Sequence, residues 1–184
     1  ASGSANWNYV VELTLNIPNE PDLIFLPGEY NGSQYAVSYE PLSYNELTDV
    51  VEAMDSENPG FDINIVTITS PEENEFLSSG IINNDTLPNS ARYWIGLTDH
   101  EEEGNWRWWN SDEEVNYLNW RAGEPNGGTT ENYAEMKAED GLWNDANEDA
   151  TLLYILEGRP EENESDVYLS GHVIDHTTGL GIPY

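Results

Sequence analysis

Glu124-Pro125-Asn126, Glu131 and Trp143-Asn144-Asp145 place five oxygen-bearing side chains within residues 124–145. Three carboxylates and two carboxamides in short clusters suit a hard divalent cation. Calcium takes about six to eight oxygen ligands in a loose geometry, from carboxylates, amide oxygens, backbone carbonyls and water. Glu124, Glu131 and Asp145 more than neutralise such an ion. Asn126 and Asn144 can each turn an amide oxygen to the metal and keep an NH2 to donate elsewhere. A hydroxyl beside the ion would then accept from an Asn and donate to a Glu, so two adjacent sugar hydroxyls can replace two waters with both hydrogen-bonding capacities met. Read alone, Asn144-Asp145 and Pro125-Asn126-Gly127-Gly128 would be turns. In one another's company they predict recognition of a vicinal diol through a single Ca2+.

Upstream lie Tyr93-Trp94-Ile95-Gly96-Leu97, then Trp106 with Trp108, then Asn119-Trp120. With the three clusters above, these motifs resemble the C-type lectin domains: the WIGL strand, the W-x-W strand, the EPN loop and the WND strand follow in that family's order over residues 33–158. The resemblance implies an α+β fold, with two helices and loop-rich antiparallel sheets. It implies a cis peptide between Glu124 and Pro125, where the tertiary amide has lost most of the trans preference. It also implies that Glu124, Asn126, Glu131, Asn144 and Asp145, with the Asp145 carbonyl, bind both Ca2+ and the sugar. The EPN form goes with mannose, fucose, glucose or N-acetylglucosamine types rather than galactose. Asp99 and Glu103 match two ligands of a second calcium site, although Gly127 and Asn132 stand where that site usually has carboxylates.

The same family normally carries two disulfides, whereas this chain has no cysteine; Tyr133, Glu148 and Leu156 stand at cysteine positions. A native bridge contributes about 2 to 5 kcal/mol. Calcium is one replacement, since an ion at about 100 times its Kd stabilises by about 2.7 kcal/mol. In this respect the chain resembles bacterial adhesin modules. Trp94, Trp106, Trp108, Trp120 and Trp143 read as core and loop anchors. Trp109 breaks the alternation of Trp106 and Trp108, should point the other way, and is the candidate for stacking on a sugar.

Composition sets limits on partners. With 36 acidic residues against 5 Lys plus Arg, the formal net charge is -31, which opposes nucleic acid and anionic membrane surfaces. Most of these carboxylates read as solvated faces suited to a salty medium. Hydrophobic residues at 38% and aromatics at 11% still suffice for a core, which separates the chain from an acidic disordered tail. No apolar run reaches the roughly 18 residues of a membrane span. His100, His172 and His176 lack metal-ligand spacing, and there is no Ser-His-Asp or Cys-His set, so the chain reads as no enzyme. The rival reading is a module on the same scaffold that grips protein or ice, with calcium as a brace.

Element signals fill in the frame. Trp7–Ile17 alternates like a half-buried strand, and Leu23–Leu26 and Tyr35–Tyr39 are shorter strand candidates. Ser43 with Glu46 forms a capping box before Leu47, Val50, Val51 and Met54, which share a helical face. Phe61–Thr69 returns to strand character. Ser70-Pro71-Glu72-Glu73 then opens a second helix, with Gly80 as its expected stop. The expected organisation is a linker and strand extension over 1–32, the lectin-like domain over 33–158, and a strand extension over 159–184. Flanking β-strands from both termini, Trp7–Ile17 and Val167–Ile174, should meet beside the domain. Ser170–Gly179 resembles the opening hairpin of a β-sandwich of the carboxypeptidase-regulatory type, as in a larger multidomain protein. The whole reads as an extracellular or cell-surface adhesin that meets cell-surface glycans.

Overall fold

A computed structural model describes residues 23–160 of the 184. The strands expected at Trp7–Ile17 and Val167–Ile174, and the hairpin at Ser170–Gly179, lie outside the described residues. Along the chain the elements are β1 (Leu23–Phe25), β2 (Gln34–Ser38), α1 (Tyr44–Glu57), β3 (Phe61–Ile65), α2 (Pro71–Ile82), β4 (Arg92–Thr98), β5 (Arg107–Trp108), β6 (Tyr133–Lys137), β7 (Trp143–Ala146) and β8 (Leu153–Pro160), with a 3-10 turn at Gly128–Thr130.

Both helices start where side-chain chemistry satisfies their first free N–H groups. The Ser43 hydroxyl accepts from Glu46 N at 3.4 Å while Glu46 Oε2 accepts from Ser43 N at 3.0 Å, completing the reciprocal box. Tyr44, Leu47, Val51 and Met54 then fall on one buried face of α1. At α2 the Ser70 hydroxyl accepts from Glu73 N at 3.2 Å and Pro71 fills the first turn. Here the box closes on one side only. Glu73 instead accepts from the Tyr35 hydroxyl at 2.7 Å and from Thr69 N at 2.8 Å, tying α2 to β2. The expected stop at Gly80 is also displaced. The helix runs through it to Ile82, because Gly80 packs against Leu26, where a Cβ would meet Leu26 Cδ1 at 3.2 Å.

The strands form one eight-stranded sheet in the order β1-β2-β8-β4-β6-β7, with β3 also on β8 and β5 also on β4. Every named pairing is antiparallel except β4 with β8, which is parallel. The sheet is therefore mixed, where antiparallel sheets were expected. Tyr93, Ile95, Leu97 and Ile155 join α2 in one core cluster, and Trp94, Tyr154 and Leu156 join α1 in the other. That division follows the pleat, in which successive side chains alternate between faces. Six of the seven residues of β4 are buried, because a helix or loop covers each face. Trp94, Trp108 and Trp143 are buried and Trp106 and Trp120 half-buried, as expected of anchors. Among the described residues no helix is long and apolar enough to cross a membrane.

Candidate functional site

Three short segments are brought side by side at one edge of the sheet. The Trp143 indole N–H donates to Asn74 Oδ1 at 2.8 Å, fixing the start of β7 against α2. Residues 119–121 then run beside it: Trp143 N donates to Asn119 O at 2.9 Å and Arg121 N to Trp143 O at 2.8 Å. The loop that follows carries Glu124, Pro125 and Asn126, with the Glu124-Pro125 peptide cis as expected. Asp145 closes the arrangement. Its carboxylate, on a residue only 1% exposed, accepts from Asn126 N at 3.0 Å and from Gly127 N at 2.7 Å. Two backbone donors of the loop thus meet one buried acceptor on the strand, which fixes the loop by charge-assisted hydrogen bonds.

The other expected ligands gather around that clamp. The Asn126 amide N–H donates to Glu124 Oε2, and the Asn144 amide N–H donates to the Asp145 carbonyl and, at 3.4 Å, to Glu135 Oε1. Burial, then the Asp145 and Glu131 carboxylates, push Glu124 above its ordinary value, while Arg121 opposes them. Arg121 itself pairs with Asp140 at 3.0 Å. Glu131 folds over Gly127, where a Cβ would collide with the Glu131 side chain. This accounts for glycine at a position where the family resemblance leads one to expect a carboxylate.

Like charges held together without a hydrogen-bonded basic partner, beside two carboxamides, are the donor chemistry a hard cation requires. Carboxylates alone do not complete the set: among the described residues no group of three His, Cys, Asp or Glu side chains is placed to hold a metal ion. Asn126 and Asn144 add neutral amide oxygens to the donor types available, and on donor type alone the five residues fit one calcium ion.

The remaining candidates lie elsewhere. Asp99 is 3% exposed; its Oδ2 accepts from Gly104 N at 2.8 Å, while its Oδ1 is buried and makes no hydrogen bond. Glu103 is exposed on the next turn of chain. Trp109 is half-buried and packs against the α1 cluster, lining a separate groove with Tyr44, Thr98, His100 and Tyr133. Glu135 was missed from the sequence. It stands directly opposite Asn144 in the β6–β7 pairing, 4% exposed, with the Arg92 guanidinium 3.0 Å from Oε2.

The family model of the lectin C-type domain matches residues 62–156, so the chain belongs to the C-type lectin domain family. A perlucin-like protein of Mytilus galloprovincialis is 35% identical over 82 residues, covering 44% of this chain and 51% of that one. The chain spans about half the length of this relative. Among solved structures, the cow C-type carbohydrate-recognition domain of CD23, in the presence of a GlcNAc2Man3 oligosaccharide, superposes with a TM-score of 0.58 at 28% identity, over 71% of this chain and 90% of that chain. Herring type II antifreeze protein superposes with a TM-score of 0.57 at 25% identity, over 72% and 94% of the respective chains.

Proposed function

We propose that this domain is a calcium-dependent carbohydrate-binding module of an extracellular or cell-surface adhesin, and that it acts as a binder and not as an enzyme. Its ligands are the vicinal hydroxyls of mannose-, fucose-, glucose- or N-acetylglucosamine-type glycans. The observation that carries this is the Asp145 clamp, which seats the EPN loop against β7 so that Glu124, Asn126, Asn144 and Asp145 share one small volume. Bound calcium supplies an electrostatic anchor for two hydroxyl oxygens. The residues supply direction: each Glu accepts a hydroxyl proton and Asn126 donates its second amide N–H to a hydroxyl oxygen. Membership in the lectin family and the likeness to the CD23 domain support the same reading.

A shallow site of this kind binds one sugar weakly, and adhesion then relies on many copies, where avidity adds factors of about 100 to 10,000. The test is a monosaccharide competition series in calcium and in chelator. Inhibition by methyl mannoside or fucose, lost in chelator, is expected; a galactose-only or chelator-indifferent pattern would overturn the reading. The likeness to the herring antifreeze protein favours a second reading, a module that grips ice or protein with calcium as a brace. Ice shaping, or a silent glycan array beside an intact protein interface, would establish that reading.

A further inference from the structure

We infer that the groove between α1 and the β5 segment is a second saccharide subsite, one that holds a neutral pyranose ring without calcium. The cavity measures about 300 Å3, at the lower end of the range for small-ligand sites. None of the five expected calcium ligands lines it. The chain links the two: Tyr133 of its wall lies two residues beyond Glu131 and pairs in register with Ala146, which follows Asp145.

One wall is aromatic. His100, exposed, stacks on Tyr133 with ring centroids 5.7 Å apart and planes 23° from parallel, and Tyr133 lies 4.2 Å from Tyr44. Trp109 stands half-buried on the same groove. Tyr44 and Tyr133 are buried and back the wall, so His100 and Trp109 offer the accessible flat faces, which suit the apolar C–H face of a sugar ring. The polar groups are neutral or neutralised. The Asn45 carboxamide makes no hydrogen bond, and Asn110 donates to Asn64 Oδ1 at 3.2 Å while its own oxygen accepts nothing. Free carboxamide donors and acceptors match hydroxyls, which need both. Arg107 is spent on Glu101 at 2.5 Å, leaving no unpaired cation for an anionic ligand, and a net charge of -31 opposes one. The geometry calls for a neutral ring with one apolar face and an equatorial rim of hydrogen-bonding groups. That the ring is a sugar rests on the function proposed above.

The test titrates the protein with methyl α-mannoside and a linear mannotriose, in calcium and in chelator, following the Trp109 indole and His100 ring signals by NMR. Saturable shifts of both signals by mannotriose in chelator are expected. In calcium the trisaccharide should bind about ten-fold tighter than the monosaccharide. Trp109→Ala should erase the chelator-resistant shifts of His100 and the trisaccharide advantage, leaving calcium-dependent monosaccharide binding within about two-fold. Asn45→Trp, at an exposed helix position, should fill the groove with the same result and without removing any packing. Silent Trp109 and His100 signals, or an advantage that survives Asn45→Trp, would overturn the subsite. Failure of the calcium site has a different signature: loss of chelator-sensitive monosaccharide binding while the groove signals still respond.

Discussion

Between the Arg92 guanidinium and the Asn144 amide, Glu135 holds a buried carboxylate whose value is raised by burial and drawn back down by Arg92. In the proposed calcium site it would aim Asn144. With the amide N–H turned to Glu135 and to the Asp145 carbonyl, the amide oxygen is left for an ion. Outer-shell partners of this kind typically affect metal affinity ten- to one hundred-fold. Glu135→Gln keeps the shape but removes the negative charge that faces Arg92 and can present an NH2 toward that of Asn144. Calcium affinity should fall about ten-fold with unchanged circular dichroism, read by titration calorimetry; an unaltered affinity would show that Asn144 is aimed by something else. The five proposed ligands stand out in the sequence because four of them sit in two short clusters of the right residue types, with Glu131 between. Glu135 does not. A lone Glu in Tyr133-Ala134-Glu135-Met136-Lys137 looks like any other acid in this chain, and its importance comes from a pairing register that only the fold sets.

Among elements, β4 has the least room. Gly96 N donates to Val66 O at 2.9 Å, and Gly96 O accepts from Trp109 N at 2.7 Å. A Cβ there would stand 2.9 Å from Ile65 O and 3.0 Å from Val66 O, both backbone atoms that cannot rotate away. Gly96→Ala should therefore destabilise by about 2 kcal/mol, measured by urea unfolding; a neutral result would mean that the segment after β3 moves aside easily. The helix starts and several strands were legible because capping and periodicity are local signals. The end of α2 was not. Gly80 carries the usual mark of a stop, and its true task, letting the helix lie close on Leu26, is a tertiary contact. The parallel pairing of β4 with β8 was invisible for the same reason, since strand order is decided by partners some 60 residues away. Trp109 shows both sides: alternation places it on the opposite face from Trp108, and there it joins the α1 cluster and a groove.

At the scale of the whole molecule, charge dominates. A net charge of -31 on 184 residues repels itself, and the screening length falls from about 10 Å at 0.1 M salt to about 3 Å at 1 M. Calorimetry in chelator should show Tm rising by about 5 °C or more over that range of sodium chloride; a flat response would mean that the surface charges are too dispersed to interact. Acid should act in opposite directions with and without the ion. Burial first, against hydrogen bonds from Ser33 and Thr67 and the charge of Arg159, raises Glu157, and Glu135 and Glu124 are raised as well. A carboxylate raised in the folded state contributes stability that is fully present below the ordinary value of 4.5 and is lost as pH rises through the folded value. In chelator, Tm should climb as pH falls from neutral toward that value. In calcium, protons compete with the ion for Glu124, and the stabilisation linked to binding is lost, so Tm should fall. Parallel melting curves in the two buffers would refute the ligand assignment.

The contact between the Tyr133 hydroxyl and Glu148 Oε2, 3.5 Å apart, stands where the family resemblance leads one to expect a disulfide. A domain built this way has nothing for a thiol reagent to cut. No step of its folding waits on an oxidant, and under the calcium reading proposed above its firmness follows the dissolved ions that surround it.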